Sequence, residues 1–282
     1  MTTHDPNSPY VLGYTDAEHD RLIRQAALLA PSTERFFHAA GIGPGQRVLD
    51  LGSGLGDVAM LVARLVGPAG AVLGVERDAG SIARARARVA EAGLGNVSFT
   101  QSDVAEIPSD APFDAAVGRF ILMFLPDPVG VLRSVAQRVR PGGVLAFYEV
   151  SWTPTLALSA HLPLWSTAGS LIPPTLRRAG ANPEMGLDLY RVFQEAGLPA
   201  PAMQMDVPLG SDPAFTRLMS DLFHTVRAQI PARDPALQKL GDLDTLPERL
   251  QAEVAASRSV APYIGLVGAR SKRPPDEAAP SR

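Results

Sequence analysis

The chain has 282 residues, 46% of them hydrophobic, a formal net charge of -3 and no cysteine. That length and apolar content suffice for a sizeable core in one or two domains. The charge gives no strong field for nucleic acid or an acidic membrane, and the lack of cysteine excludes disulfides, thiolate metal sites and cysteine nucleophiles.

No run of about 18 apolar residues reads as a membrane span. The opening MTTHDPNSPY has no apolar signal-peptide stretch, so the expected location is cytoplasmic. Residues 1–9 read as a leader. N-terminal helices are expected over 10–40: one from Asp16 to Ala30, capped by Asp16 and stopped at Pro31, then one from Ser32 to Ala40. Arg47–Leu51 is a short buried strand. Gly52-Ser53-Gly54-Leu55-Gly56 follows, and then Val58, Leu61, Val62, Leu65 and Val66 at helical spacing. Strand, glycine loop and helix therefore come in that order. Further strands are expected at 71–76, 97–100, 113–117 and 144–150, with helices at 81–92 and 127–140. Pro141-Gly142-Gly143 is expected to break the last of these helices. The alternation predicts βαβ units and a mostly parallel sheet.

After Val150 the alternation weakens. Residues 151–185, with Trp152 and Trp165, read as a helical cap insertion, and 211–256 as a second. A helix at 187–196 and a strand at 202–208 lie between them. A last strand at 263–269 is expected on an edge, and 271–282 as a disordered tail. Trp152, Trp165, Leu171 and Met185 either line an apolar acceptor pocket or pack the cap.

The loop after the first strand carries the chemistry. Small residues let a ligand approach the backbone, and the helix N-terminus supplies unpaired N–H groups. A dinucleotide fingerprint would place glycine three positions after Gly54; Asp57 stands there instead. Asp50 disfavours a nearby pyrophosphate and suits an ammonium or ordered waters, though a helix-capping role is equally open. A ligand bearing an amino acid fits better than a diphosphate. Glu76, twenty residues after Gly56, ends the second strand beside Arg77. It can accept from both ribose hydroxyls or be a solvated strand end. Asp103 can accept from an adenine amino group with Val104 on the ring face, or cap a turn.

In this order and spacing the segments resemble the class I S-adenosylmethionine (SAM)-dependent methyltransferases. VLDLGSGLG resembles the first motif of that family, GVERD the second, SDVAEIP the third, FDAAVGRFILMFLPDP the fourth, and VRPGGVLAFYEV the segment into strand five. The likeness covers about residues 10–150 and is greatest to bacterial small-molecule enzymes of the ubiquinone-biosynthesis type. It implies an α/β fold: a Rossmann-like, doubly wound, seven-stranded sheet, mostly parallel with the last strand antiparallel, in a single domain over 1–282. The SAM-binding core would occupy 41–150. The implied cofactor-binding residues are Asp50, Gly52, Ser53, Gly54, Gly56, Glu76, Arg77, Asp103 and Val104, with Gly118, Arg119 and Phe120 at the methionine end. Tyr14, with Tyr10, lies in the region that often closes over SAM. Arg119 has alternatives: orienting the acceptor, or pairing with Glu149. Phe124 stands where many relatives carry His, which makes an apolar pocket wall.

The implied reaction moves a methyl group from SAM to O, N or C of a small, largely apolar metabolite. Glu149, His161 and His224 are the candidate catalytic residues, each with a packing role as alternative. His19 and His38 read as helix-surface residues, and Arg84, Arg86 and Arg88 as a wide solvated face. No metal-ligand spacing is present. The expected partner is a small-molecule acceptor, with no nucleic acid and no membrane span; a homodimer is allowed. The alternatives are a non-catalytic SAM-binding protein, a methyltransferase acting on protein or RNA, and a nicotinamide-dependent oxidoreductase, against which Asp57 argues.

Overall fold

A computed structural model describes residues 15–104, 106, 107 and 111–275. In chain order its elements are α1 (Asp16–Ala39), β1 (Arg47–Leu51), α2 (Asp57–Val66), β2 (Ala71–Glu76), α3 (Ala79–Glu91), β3 (Val97–Gln101), β4 (Phe113–Arg119), α4 (Pro128–Arg138) and β5 (Val139–Ser151). They continue with α5 (Thr153–Leu158), α6 (Pro163–Arg178), α7 (Met185–Glu195), β6 (Ala202–Asp206), β7 (Leu209–Gly210), α8 (Pro213–Val226), α9 (Pro235–Lys239), α10 (Leu246–Ser257), β8 (Ala261–Pro262) and β9 (Gly265–Lys272).

Seven strands form one sheet in the order β3-β2-β1-β4-β5-β9-β6. β3, β2, β1, β4 and β5 run parallel. β9 is the antiparallel member: Gly142 N–H donates to Arg273 O and Arg273 N–H to Gly143 O, so the C-terminal end of β9 meets the start of β5. β1 is buried from Val48 to Leu51, as a strand covered on both faces must be.

Several expectations need correction. Pro31 does not stop the first helix but lies inside α1. An interior proline costs about 3 kcal/mol or more, yet Leu29, Phe36 and Phe37 are fully buried along that helix. Each such burial is worth about 1.5–3 kcal/mol, so packing overrides the breaker. Pro141-Gly142-Gly143 falls within β5, where the register against β4 jumps between Phe113↔Val139 and Ala115↔Val144. A proline without a donor belongs at such an irregularity. The last strand is not at the edge: β9 lies between β5 and β6, and β6 is the edge. Ser271 and Lys272 end β9, and Arg273 pairs with β5, so the tail does not begin at 271. The second cap is three helices, α8 to α10, with breaks between them.

The chain forms two compact units. One comprises residues 30–149, 187–204 and 268 onward, and holds the βαβ core. The other comprises residues up to 29, 150–186 and 205–267. In the latter Trp152, Trp165, Leu171 and Met185 are all buried. Trp165 Nε1 donates to Pro262 O at 3.1 Å, and the Glu253 carboxylate accepts the Leu164 and Trp165 N–H groups at the start of α6. Among the described residues no helix is long and apolar enough to cross a membrane.

Candidate functional site

The register sets the site. Leu51 pairs with Val75 on one side and Gly118 on the other. The carboxyl ends of β1, β2 and β4 are therefore level, with Glu76 and Arg119 one residue beyond. Glu76 in turn pairs with Gln101 at the end of β3. Ligands of open α/β sheets sit at this edge.

The loop leaving β1 takes left-handed backbone at Gly52 (φ 61°) and Gly54 (φ 49°). A Cβ on Gly52 would lie 2.5 Å from Ile121 Cδ1, so this glycine lets the turn after β4 pack onto the loop. At Gly54 the nearest atom to such a Cβ is Gly52 O, 4.0 Å away. That glycine opens onto free space, the requirement for a ligand lying along the backbone. Ser53 N–H donates to Val75 O and Gly56 N–H to Ser53 O, which fixes the loop. Gly54 N–H donates to Glu76 Oε2 at 3.0 Å, while Glu76 Oε1 accepts from Arg77 and Asp78 N–H. Oε2 keeps a lone pair for a hydroxyl donor. The Arg77 residue itself is exposed.

Asp50 is 1% exposed, and neither its Oδ2 nor the buried Ser53 Oγ has a hydrogen-bond partner. Burial pushes the Asp50 carboxyl up to about 8; Arg119 and the Ala59 N–H pull it down, and Glu76 and Asp57 push it up. Arg119 Nη1 donates to Thr33 Oγ1 at 3.0 Å. Burial weighs against the Arg119 charge, and Asp57, Asp50 and Tyr148 favour it. An orphaned buried carboxylate oxygen beside a guanidinium with uncommitted donors fits a zwitterion: ammonium to Asp50, carboxylate to Arg119.

Glu149 does not pair with Arg119. It is fully buried and accepts the N–H groups of Ile121, Leu122 and Met123 at 3.0, 2.9 and 3.3 Å. Burial pushes its carboxyl up to about 7 against these three donors. It thereby holds the turn after β4, where Phe120 adopts φ 57°, a conformation that costs a non-glycine residue about 1–3 kcal/mol and needs such over-determination. Gly118 is buried, and a Cβ there would meet Ile121 and Phe147 at 2.8 Å.

Asp103 is exposed two residues beyond β3, its carbonyl accepting Glu106 N–H, and Val104 is buried beside it. Tyr10 and Tyr14 lie outside the described residues. His161 is exposed in the turn between α5 and α6. His224, on α8, places Nδ1 2.8 Å from Ser220 O. A carbonyl can only accept, so Nδ1 is the donor in this contact. Phe124 is half-buried.

Two surface assignments are corrected. His19 is 7% exposed, with neither ring nitrogen partnered, because that face of α1 is itself buried: Glu18, Arg21 and Gln25 form a closed network with Tyr263 and Thr225. His38 is exposed as expected. Arg86 and Arg88 are not simply solvated. Arg86 donates to Phe99 O, and Arg88 donates to Leu55 O and pairs with Asp57 at 2.6 Å. Arg88 and Thr33 each bond a residue of this region, Asp57 and Arg119 respectively, and no local sequence signal marks either.

Comparisons with known proteins identify the family and the fold. A family model described as a methyltransferase domain matches residues 42–197. An arsenite methyltransferase of Halobacterium salinarum is 29% identical over 69% of this chain and 49% of its own length. The aklanonic acid methyltransferase DauC of a Streptomyces species is 34% identical over 54% of this chain and 74% of its own. The ubiquinone/menaquinone biosynthesis C-methyltransferase UbiE of Cellvibrio japonicus is 36% identical over 40% and 46%. The chain thus spans about half the length of two of these three relatives. The fold is that of the geranyl diphosphate C-methyltransferase of Streptomyces coelicolor, with a TM-score of 0.54 and 15% identity over 95% of this chain and 86% of that one.

Proposed function

The chain belongs to the class I SAM-dependent methyltransferase family, and on that premise we propose that it is an enzyme transferring a methyl group from SAM to an oxygen, nitrogen or carbon of a small, largely apolar metabolite. The observation that carries the reading is the set of unmet groups around Gly54: the orphaned Asp50 Oδ2, the free lone pair on Glu76 Oε2, and the uncommitted donors of Arg119. They match, in order, an ammonium, a ribose hydroxyl and a carboxylate. Gly54 leaves the room that a ligand between them needs.

Bound there, SAM supplies a methyl group made electrophilic by its sulfonium. The chain contributes position. Asp50 and Arg119 fix the amino-acid end, Glu76 the ribose, and Asp103 with Val104 the adenine. Holding the donor in line with the acceptor supplies much of the rate, and preformed dipoles supply more. A protein base is required only for an acceptor that is protonated at working pH. For that duty the candidates are His161, His224 and Glu149. Glu149 is committed to three N–H groups and acts instead as the anchor of the turn.

The relatives are named for arsenite, a polyketide acid and quinone precursors, all small acceptors. Arsenite does not suit this chain. Trivalent arsenic is a soft centre held by thiolates, and the chain has no cysteine. Calorimetric titration with SAM and S-adenosylhomocysteine, with NADH as control, tests the cofactor. Micromolar binding of the adenosyl ligands alone is expected, and NADH binding in their place would overturn the assignment. Mass spectrometry of phenolic, quinol and amine acceptors incubated with enzyme and SAM then tests transfer.

A further inference from the structure

We propose that Thr33, on α1 and ahead of the segment matched by the family model, is a positioning residue that holds the Arg119 guanidinium off Asp50 and aims it at the carboxylate of the ligand's amino-acid end. The inference rests on the SAM reading above. Thr33 is fully buried, and its Oγ1 accepts from Arg119 Nη1 at 3.0 Å across 86 positions of sequence. A buried hydroxyl needs a partner, and one with a cation is worth more than a neutral one.

The electrostatics make the contact consequential. Arg119 is the largest charge stabilising the Asp50 carboxylate, yet Asp50 Oδ2 has no hydrogen-bond partner. The two groups sense each other without touching. Collapse of the guanidinium onto Asp50 would neutralise both halves of a zwitterion site at once. Asp57, the other acidic neighbour of Arg119, is already engaged by Arg88. Thr33 therefore supplies the tether that keeps an attractive pair apart. The backbone side is equally constrained, since Arg119 precedes the left-handed Phe120 and the turn that Glu149 holds. Fixing one end of a rotamer-rich side chain before the ligand arrives lowers the entropy lost on binding.

The test is Thr33→Val, which keeps the shape and removes the acceptor. Binding is read by calorimetry with two probes: S-adenosylhomocysteine, which carries the amino-acid end, and adenosine, which lacks it. The expected result is a 5- to 20-fold loss for S-adenosylhomocysteine with adenosine unchanged within twofold, and recovery in Thr33→Ser. The pH dependence of S-adenosylhomocysteine affinity should also flatten in the valine variant, because an Arg119 collapsed onto Asp50 ionises it beforehand. Equal losses for both probes would mean general distortion and overturn the proposal; so would unchanged affinity for S-adenosylhomocysteine. Should the valine variant fail to fold, Arg119→Gln and Arg119→Gln with Thr33→Ser are compared with wild type. Arg119→Gln alone must show the probe-selective loss, and the added serine must change nothing further. Wild-type protein that binds neither probe would overturn the cofactor reading itself, a result distinct from a binding wild type with an indifferent Thr33→Val.

Discussion

Asp50 serves two opposed requirements. Its burial disfavours charge, and the ammonium we propose it meets requires charge. Between the ordinary carboxylate range and about 8 the free folded protein keeps a proton that the unfolded chain has lost, so its contribution to stability falls as pH rises across that window. An arriving ammonium favours the ionised form. SAM binding at pH 7 is therefore expected to release a proton, with affinity rising up to about pH 8. Titrations in buffers of different ionisation heat will show it, and zero release would place the ammonium elsewhere. Asp50→Asn should be more stable than wild type at pH 8 while binding SAM poorly. Gly54→Val is expected to abolish binding, since the side chain fills the free space beside the loop and strains a φ of 49°. Glu76→Ala should weaken it by about 1–3 kcal/mol through lost hydrogen bonds to a charged group. These residues could be singled out in sequence because each lies at the end of its strand or a few positions past it. Thr33 and Arg88 could not, because their partners lie 86 and 31 positions away, and only the folded register brings them together.

At the scale of elements, the turn after β4 depends on one carboxylate. Glu149→Ala would leave three N–H groups without their acceptor, those of Leu122 and Met123 being buried. A loss of about 2–5 kcal/mol in urea unfolding is expected. The wild-type carboxyl, raised to about 7 by burial, also makes stability fall between about pH 4.5 and 7, and Glu149→Gln should reduce that slope. A slope unchanged in the glutamine variant would show that Glu149 is not a source of it. Strand five shows why sequence pattern located this carboxylate but not the N–H groups it binds. Alternation and apolar runs mark a buried strand, whereas the direction of the Glu149 side chain depends on a turn 27 residues earlier. Pro31 and Pro141 taught the same lesson from the other side. Proline is a local veto, and in α1 and β5 tertiary packing or a register jump absorbed it.

At the scale of the molecule, the seven strands and the antiparallel last one were implied by the family likeness, but the edge position read for that strand was wrong. A strand at 263–269 has the same hydrophobic pattern at an edge as in the interior, so pattern alone could not seat β9 between β5 and β6. The seating has a measurable result. A chain ending at Ile264 should lose its cooperative melt and bind a hydrophobic dye, as judged by differential scanning and fluorescence; a normal melt would show β9 to be dispensable. The seating also bears on how the protein is made. β6 has no sheet neighbour other than β9, and roughly 60 residues separate the two in the chain, about 3–12 s of translation. Throughout that interval the nascent polypeptide presents two unsatisfied strand edges and a gap one strand wide. The sheet cannot close until β9 has emerged, and until then its open strand edges are exposed to pairing with other chains.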